Sequence, residues 1–157
     1  MPTIIAIQYT QDQMRALTGV SVETVRHWRK TVPYLATKTG KAARFSFADL
    51  LGLAVTNELV RSLGVHIGTV SSGVDALFRL LADASAQVLD GGVVLVTATG
   101  ASFHELGTWS VGAGAQPAFA IPLTPLIARL QQHMLPVMLV PSQVALPFPP
   151  EAIRSRA

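Results

Sequence analysis

Residues 9–30 read YTQDQMRALTGVSVETVRHWRK, and the reading of this stretch decides the fold. Thr10 stands where a helix N-cap belongs, with Gln13 three residues on in the capping-box arrangement. The spacing predicts a first helix to about Thr18 with Met14 and Leu17 facing inward. Gly19 breaks it, Val20 anchors the turn, and Ser21 caps a second helix. Val22, Val25 and Trp28 follow at i, i+3 and i+6, and at least Val25 and Trp28 face the core. Glu23, Thr24, Arg26, His27, Arg29 and Lys30 are left for the other faces. Two short helices about a tight turn, the second cationic on its non-packing side, form the layout of a helix-turn-helix. In that motif the second helix is the one expected to enter a DNA major groove.

Pro33 is expected to end that second helix. The next stretch, YLATKTGKAARFSF at 34–47, has Gly40 as a turn residue and Lys38, Lys41 and Arg44 as cations. It reads as a two-stranded wing whose return strand holds Arg44 and Phe45. Ser46 and Asp49 make a second capping box, opening a helix near Phe47. Leu50, Leu51, Ala54, Val55, Leu59 and Leu63 form an apolar stripe of helical period, ended by Gly64. A fourth helix carries Ile67, Val70, Val74, Leu77, Phe78 and Leu81 on one side. Gly68 and Gly73 weaken it by roughly 1 kcal/mol each relative to Ala, so packing must compensate.

After Leu89 the pattern changes. Asp90-Gly91-Gly92 is a turn, Val93–Thr97 a strand, Gly100 a turn, and Ser102–Leu106 a hairpin partner. Residues 112–117 (GAGAQP) read as a loop and Ala118–Ile121 as a strand. Thr124 and Pro125 suit the Ncap and N1 positions of a helix through about His133, stopped by Pro136. Val137–Val140 reads as a last strand, and a Pro-rich tail follows. The fold class is therefore α+β: a winged helix-turn-helix at 1–88, mainly α with a small β wing. A small α/β dimerisation or partner-binding segment covers 89–140, and the tail covers 141–157.

Composition narrows the function classes. Half of the 157 residues are hydrophobic and only 13% are charged, with mean hydropathy +0.43. Some apolar surface is thus expected to be buried between subunits. The longest apolar runs fall far short of the ~20 residues of a membrane-spanning helix. The N-terminus lacks the pattern of a signal peptide. With no cysteine, the chain has no disulfide, thiolate metal site or cysteine nucleophile, and it is expected to be cytoplasmic. Residues 1–66 hold eight Lys/Arg against four Asp/Glu, whereas residues 67–157 hold four against five. The basic half suits a polyanion.

The expected partner is double-stranded DNA. Arg26 and Arg29 are forked donors for guanine O6 and N7, and Thr24 suits a thymine methyl or a phosphate. His27 suits a phosphate, and Glu23 either accepts from cytosine N4 or repels the backbone and sharpens register. Lys38, Lys41 and Arg44 on the wing suit adjacent phosphates or the minor groove. The DNA-contacting set is Ser21, Glu23, Thr24, Arg26, His27, Arg29, Lys38, Lys41 and Arg44.

Residues 9 to about 82 resemble the DNA-binding domain of the MerR family of winged-helix transcription regulators. The resemblance rests on Tyr9-Thr10, the turn Leu17 to Ser21, and Thr24 to Trp28 in the second helix. Arg44-Phe45-Ser46, Asp49-Leu50 and Leu63-Gly64 extend it. It implies Thr24 and Arg26 as groove contacts and Arg44 as the wing arginine. His27 stands where the family often has a phosphate-contacting tyrosine. The long dimerisation helix typical of the family is replaced by glycine-rich and β-like sequence after Leu89. That half resembles the short α/β tails of MerR-like proteins of mobile elements and antitoxin-type regulators.

Trp28 belongs to the core by its spacing. His66, His104 and His133 have no ligand-like spacing, so no metal is expected. Neither Ser71-Ser72 nor Ser102–His104 makes a nucleophile elbow, and Gly112 and Gly114 do not make a dinucleotide loop. No catalysis and no cofactor are expected. The leading reading is a dimeric, sequence-specific transcription regulator, because one short helix reads too few base pairs alone. The alternatives are an excisionase-like DNA-bending accessory factor, or an antitoxin-type autorepressor whose C-terminal half binds a partner protein.

Overall fold

A computed structural model describes residues 7–40, 42–105 and 116–138. Local capping sets the first three long helices. In α1 (Gln11–Thr18) the Thr10 hydroxyl accepts from the Gln13 N–H at 3.2 Å, and Gln13 Oε1 accepts from the Thr10 N–H at 2.9 Å. Gly19 closes α1 in the left-handed region, at φ +72°, with its N–H on the Arg15 carbonyl. Ser21 caps α2 (Val22–Arg29) by accepting from the Thr24 N–H at 3.1 Å. Pro33 does not merely end the preceding helix. It opens a one-turn helix of its own, α3 (Pro33–Ala36), at N1, where its missing N–H costs nothing.

The β structure of the wing is a single bridge. Phe45 exchanges backbone hydrogen bonds of 2.7 and 2.9 Å with Tyr9, ahead of α1. The return limb thus closes on the N-terminal lead-in rather than on the outgoing limb. Ser46 and Asp49 then form the second capping box and start α4 (Phe47–Asn57).

Helix α4 runs into a π-helical turn, Glu58–Ser62. The wider turn rotates the residues beyond it, so Leu59 is buried but Leu63 is 52% exposed. Leu63 therefore leaves the apolar stripe in which its sequence spacing places it. Helix α5 (Ile67–Asp83) buries Ile67, Val70, Val74, Leu77, Phe78 and Leu81, as its spacing predicts. Gly73 is buried on the same face, where a Cβ would collide with the carbonyl of Thr97. The glycine that weakens the helix is what lets the next layer approach.

After a short α6 (Ala86–Leu89) come β1 (Gly92–Val96), β2 (Ala101–Glu105) and β3 (Phe119–Pro122). They form an antiparallel sheet in the order β2-β1-β3, with Val94 opposite both Phe103 and Ile121. The sequence offers Val93–Thr97 as an edge strand for pairing across a two-fold axis. In the fold β1 is central, and both its hydrogen-bonding edges are already used.

Helix α7 (Thr124–Met138) returns across α1 and α4. The Thr124 hydroxyl accepts from the Gly91 N–H at 2.9 Å and donates to Asp90 Oδ1 at 3.3 Å, tying the helix start to the turn before β1. Pro136 does not stop α7, which continues through Met138. The strand expected from Val137 is therefore helical at residues 137 and 138. Its residues 139–140 lie outside the described residues, as do residue 106, the loop at 112–115 and the tail. A single hydrophobic cluster runs from Met14 and Val25 through Leu53 and Phe78 to Leu130 and Met134. The Tyr9 hydroxyl donates to Met134 Sδ at 3.7 Å. No helix among the described residues is long and apolar enough to cross a membrane.

Candidate nucleic-acid interface

Val25 and Trp28 are buried and fix α2 to the core. The 100° step of a helix then turns Glu23, Arg26, His27 and Lys30 outward, and all four are exposed. Arg26 Nη1 lies 3.1 Å from Glu23 Oε1, with the two side chains 64% and 78% exposed. Such an exposed pair is held weakly, so the guanidinium is available to a stronger acceptor.

Thr24 and Ser21 flank this face at the start of the helix. The Ser21 and Thr24 hydroxyls are 2.8 Å apart, and that of Ser21 is also engaged in the cap. Both residues are half-buried, so the turn is stiffened where it meets the outer face.

Arg29 differs from its neighbours. Its Nε and Nη2 are enclosed, yet neither finds a hydrogen-bond partner among the described residues. Burial, and secondarily the nearby Arg26 charge, lower its pKa below the usual arginine range. The guanidinium still keeps its charge at neutral pH. It is a partly desolvated cation beside a second cation, with donors unspent.

The wing places its cations unequally. Arg44 is exposed and donates to the Ala43 carbonyl at 3.1 Å. Lys38 is turned inward, with Nζ 3.3 Å from Asp49 Oδ2. Lys41 lies outside the described residues. The structure thus brings Arg26, His27 and Arg29 onto one helix and sets Arg44 on the adjacent loop, while Lys38 faces the protein.

Sequence reasoning does not reveal the layer beneath. The Tyr34 hydroxyl donates to Asp49 Oδ1 at 2.6 Å, and its N–H donates to Asp75 Oδ1 at 2.7 Å. Its ring stacks on Phe78 with centroids 5.1 Å apart, and the Arg79 guanidinium lies 5.8 Å from its centre. Burial and then the Asp49 hydrogen bond raise the Tyr34 phenol well above its usual range. The one local signal was the capping position of Asp49, which does not disclose its second role. Among the described residues no group of His, Asp and Glu converges to hold a metal ion.

These features define a helix-turn-helix unit with a basic wing, the architecture of DNA-binding regulators. Residues 9–75 match the family model described as MerR HTH family regulatory protein. The N-terminal part is therefore similar to the helix-turn-helix region of that family, which supports a DNA-binding regulator. No curated protein and no solved structure matches the chain.

Proposed function

We propose that the chain is a homodimeric, sequence-specific regulator that acts in the cytoplasm. Helix α2 lies in the major groove with Arg26 and Thr24 towards base edges. His27 and Arg29 lie towards the backbone, and Lys41 and Arg44 reach the flanking phosphates from the wing. Residues 1–88 read the DNA, and residues 89–140 dimerise the protein or bind a partner.

The observation that carries this reading is the outer face of α2, where Arg26, His27 and Lys30 are exposed together while Val25 and Trp28 fix the helix to the core. The cations Arg26 and Lys30 on that face, with the half-buried Arg29 beside them, produce a field that attracts the phosphate backbone.

The test begins with chromatin pull-down of the tagged protein, which yields the site sequence. Fluorescence anisotropy on that duplex then compares variants of the full chain. Arg26→Ala is expected to weaken specific binding by roughly 1–3 kcal/mol. Arg29→Ala is expected to lower the slope of log K against log salt by about 0.9. Wild-type affinity for the Arg26→Ala protein on its own site would remove α2 from the groove. A dimer should protect two half-sites about one helical turn apart, related by a two-fold axis.

A further inference from the structure

We infer that Lys38 is a positioning residue that latches the base of the wing to α4 through Asp49, and that it is not a DNA contact. The inference rests on the reading of α2 and the wing as the DNA-binding surface.

The argument starts from Asp49. Its side chain is only 1% exposed. One carboxylate oxygen accepts from the Tyr34 hydroxyl at 2.6 Å. The other accepts from the Ser46 N–H at 2.9 Å and faces Lys38 Nζ at 3.3 Å. Among the described residues Lys38 is the only cation paired with it. A carboxylate this deep is costly to bury without such partners. If Lys38 swung out to a phosphate, Asp49 would be left as an uncompensated buried charge.

The geometry gives the latch a purpose. Lys38 stands two residues before Gly40, which turns the wing at φ +81°. Phe45 stands on the return limb and is held by its bridge to Tyr9. The wing is therefore pinned at both feet, by an ion pair on one limb and by backbone hydrogen bonds on the other. Arg44 stands on the pinned loop and is exposed. Lys38 sets the wing so that Arg44 meets the DNA.

The test uses the full-length chain. Acetic anhydride labelling of the free protein should modify Lys38 several-fold more slowly than exposed Lys30. Lys38→Met should lower the unfolding midpoint without DNA by roughly 2–4 °C. It should weaken specific DNA binding by about 2- to 30-fold, the range for a residue that acts at one remove. That DNA penalty should vanish in an Asp49→Asn background. A wild-type midpoint for Lys38→Met overturns the inference, and so does a DNA penalty that persists beside Asp49→Asn. Should Asp49→Asn fail to fold, the labelling rates decide, and equal rates at Lys38 and Lys30 refute the latch. If the chain binds no duplex at all, the regulator reading fails. Labelling and melting still report on the latch by themselves.

Discussion

Gly73 of α5 lies against the carbonyl oxygen of Thr97, so closely that a Cβ on the glycine would overlap that oxygen and crowd the Gly100 carbonyl. The helix and the β1–β2 turn meet backbone to backbone. Helix propensity alone favours Gly73→Ala by roughly 1 kcal/mol. Steric overlap with a backbone that cannot rotate away should outweigh it. We expect net destabilisation of about 1–3 kcal/mol by urea denaturation. A Gly73→Ala protein as stable as wild type would show that the turn yields freely.

Helix α7 is joined to the body of the protein in two ways, and they should differ in strength. Glu58 receives Arg129 at 3.2 Å and the Ser62 hydroxyl at 2.7 Å, but Arg129 is 55% exposed. Leu130, one residue on, is buried in the core. Glu58→Gln should cost under about 1 kcal/mol. Leu130→Ala should cost roughly 2–5 kcal/mol. Equal losses in denaturant titrations would contradict the view that packing holds α7 in place.

Tyr34 predicts a weakness at high pH. Its folded pKa is raised above the ordinary value of 10.0 by burial and by the Asp49 hydrogen bond. The folded state therefore holds the phenolic proton more tightly than the unfolded chain does. The stabilisation is fully present below pH 10.0 and is lost as pH rises from there through the folded pKa. Thermal melts should fall steeply above pH 10.0, and Tyr34→Phe should flatten that fall while lowering stability at neutral pH. An unchanged alkaline limb in Tyr34→Phe would assign it to another group.

Glu23 should affect selectivity more than strength. Its carboxylate pairs with Arg26 at 3.1 Å, and on the proposed DNA face it would repel phosphates. Glu23→Gln is expected to tighten binding to random duplex more than to the specific site, narrowing the ratio between them. Competition titrations at fixed salt measure that ratio, and an unchanged or wider ratio would count against the role.

Several elements were legible because their causes are local. Thr10, Ser21 and Ser46 each accept from an N–H three residues on, so the helix starts could be placed from the sequence. The stripe of α5 was legible because one face packs throughout. The strand order was not, because a partner for β1 depends on residues as distant as Ile121. Leu63 misled because one π-helical turn breaks a periodicity that is otherwise regular. The inward turn of Lys38 was not legible, because nothing adjacent to Asp49 in the chain announces that it is buried. The cationic face of α2 was readable, but the burial of Arg29 Nε and Nη2 without a partner among the described residues emerges only in the folded structure.

Tyr9 precedes the first helix and Met134 sits near the end of the last, yet they touch. Heat should dismantle such a chain in one calorimetric step, with no plateau between its halves. A transplant of the first 88 residues onto a foreign tail would strip the roof from α1 and need a new one. Kin of this protein should thus vary their rear portion by gradual drift under a shared lid, not by exchange of ready-made cassettes.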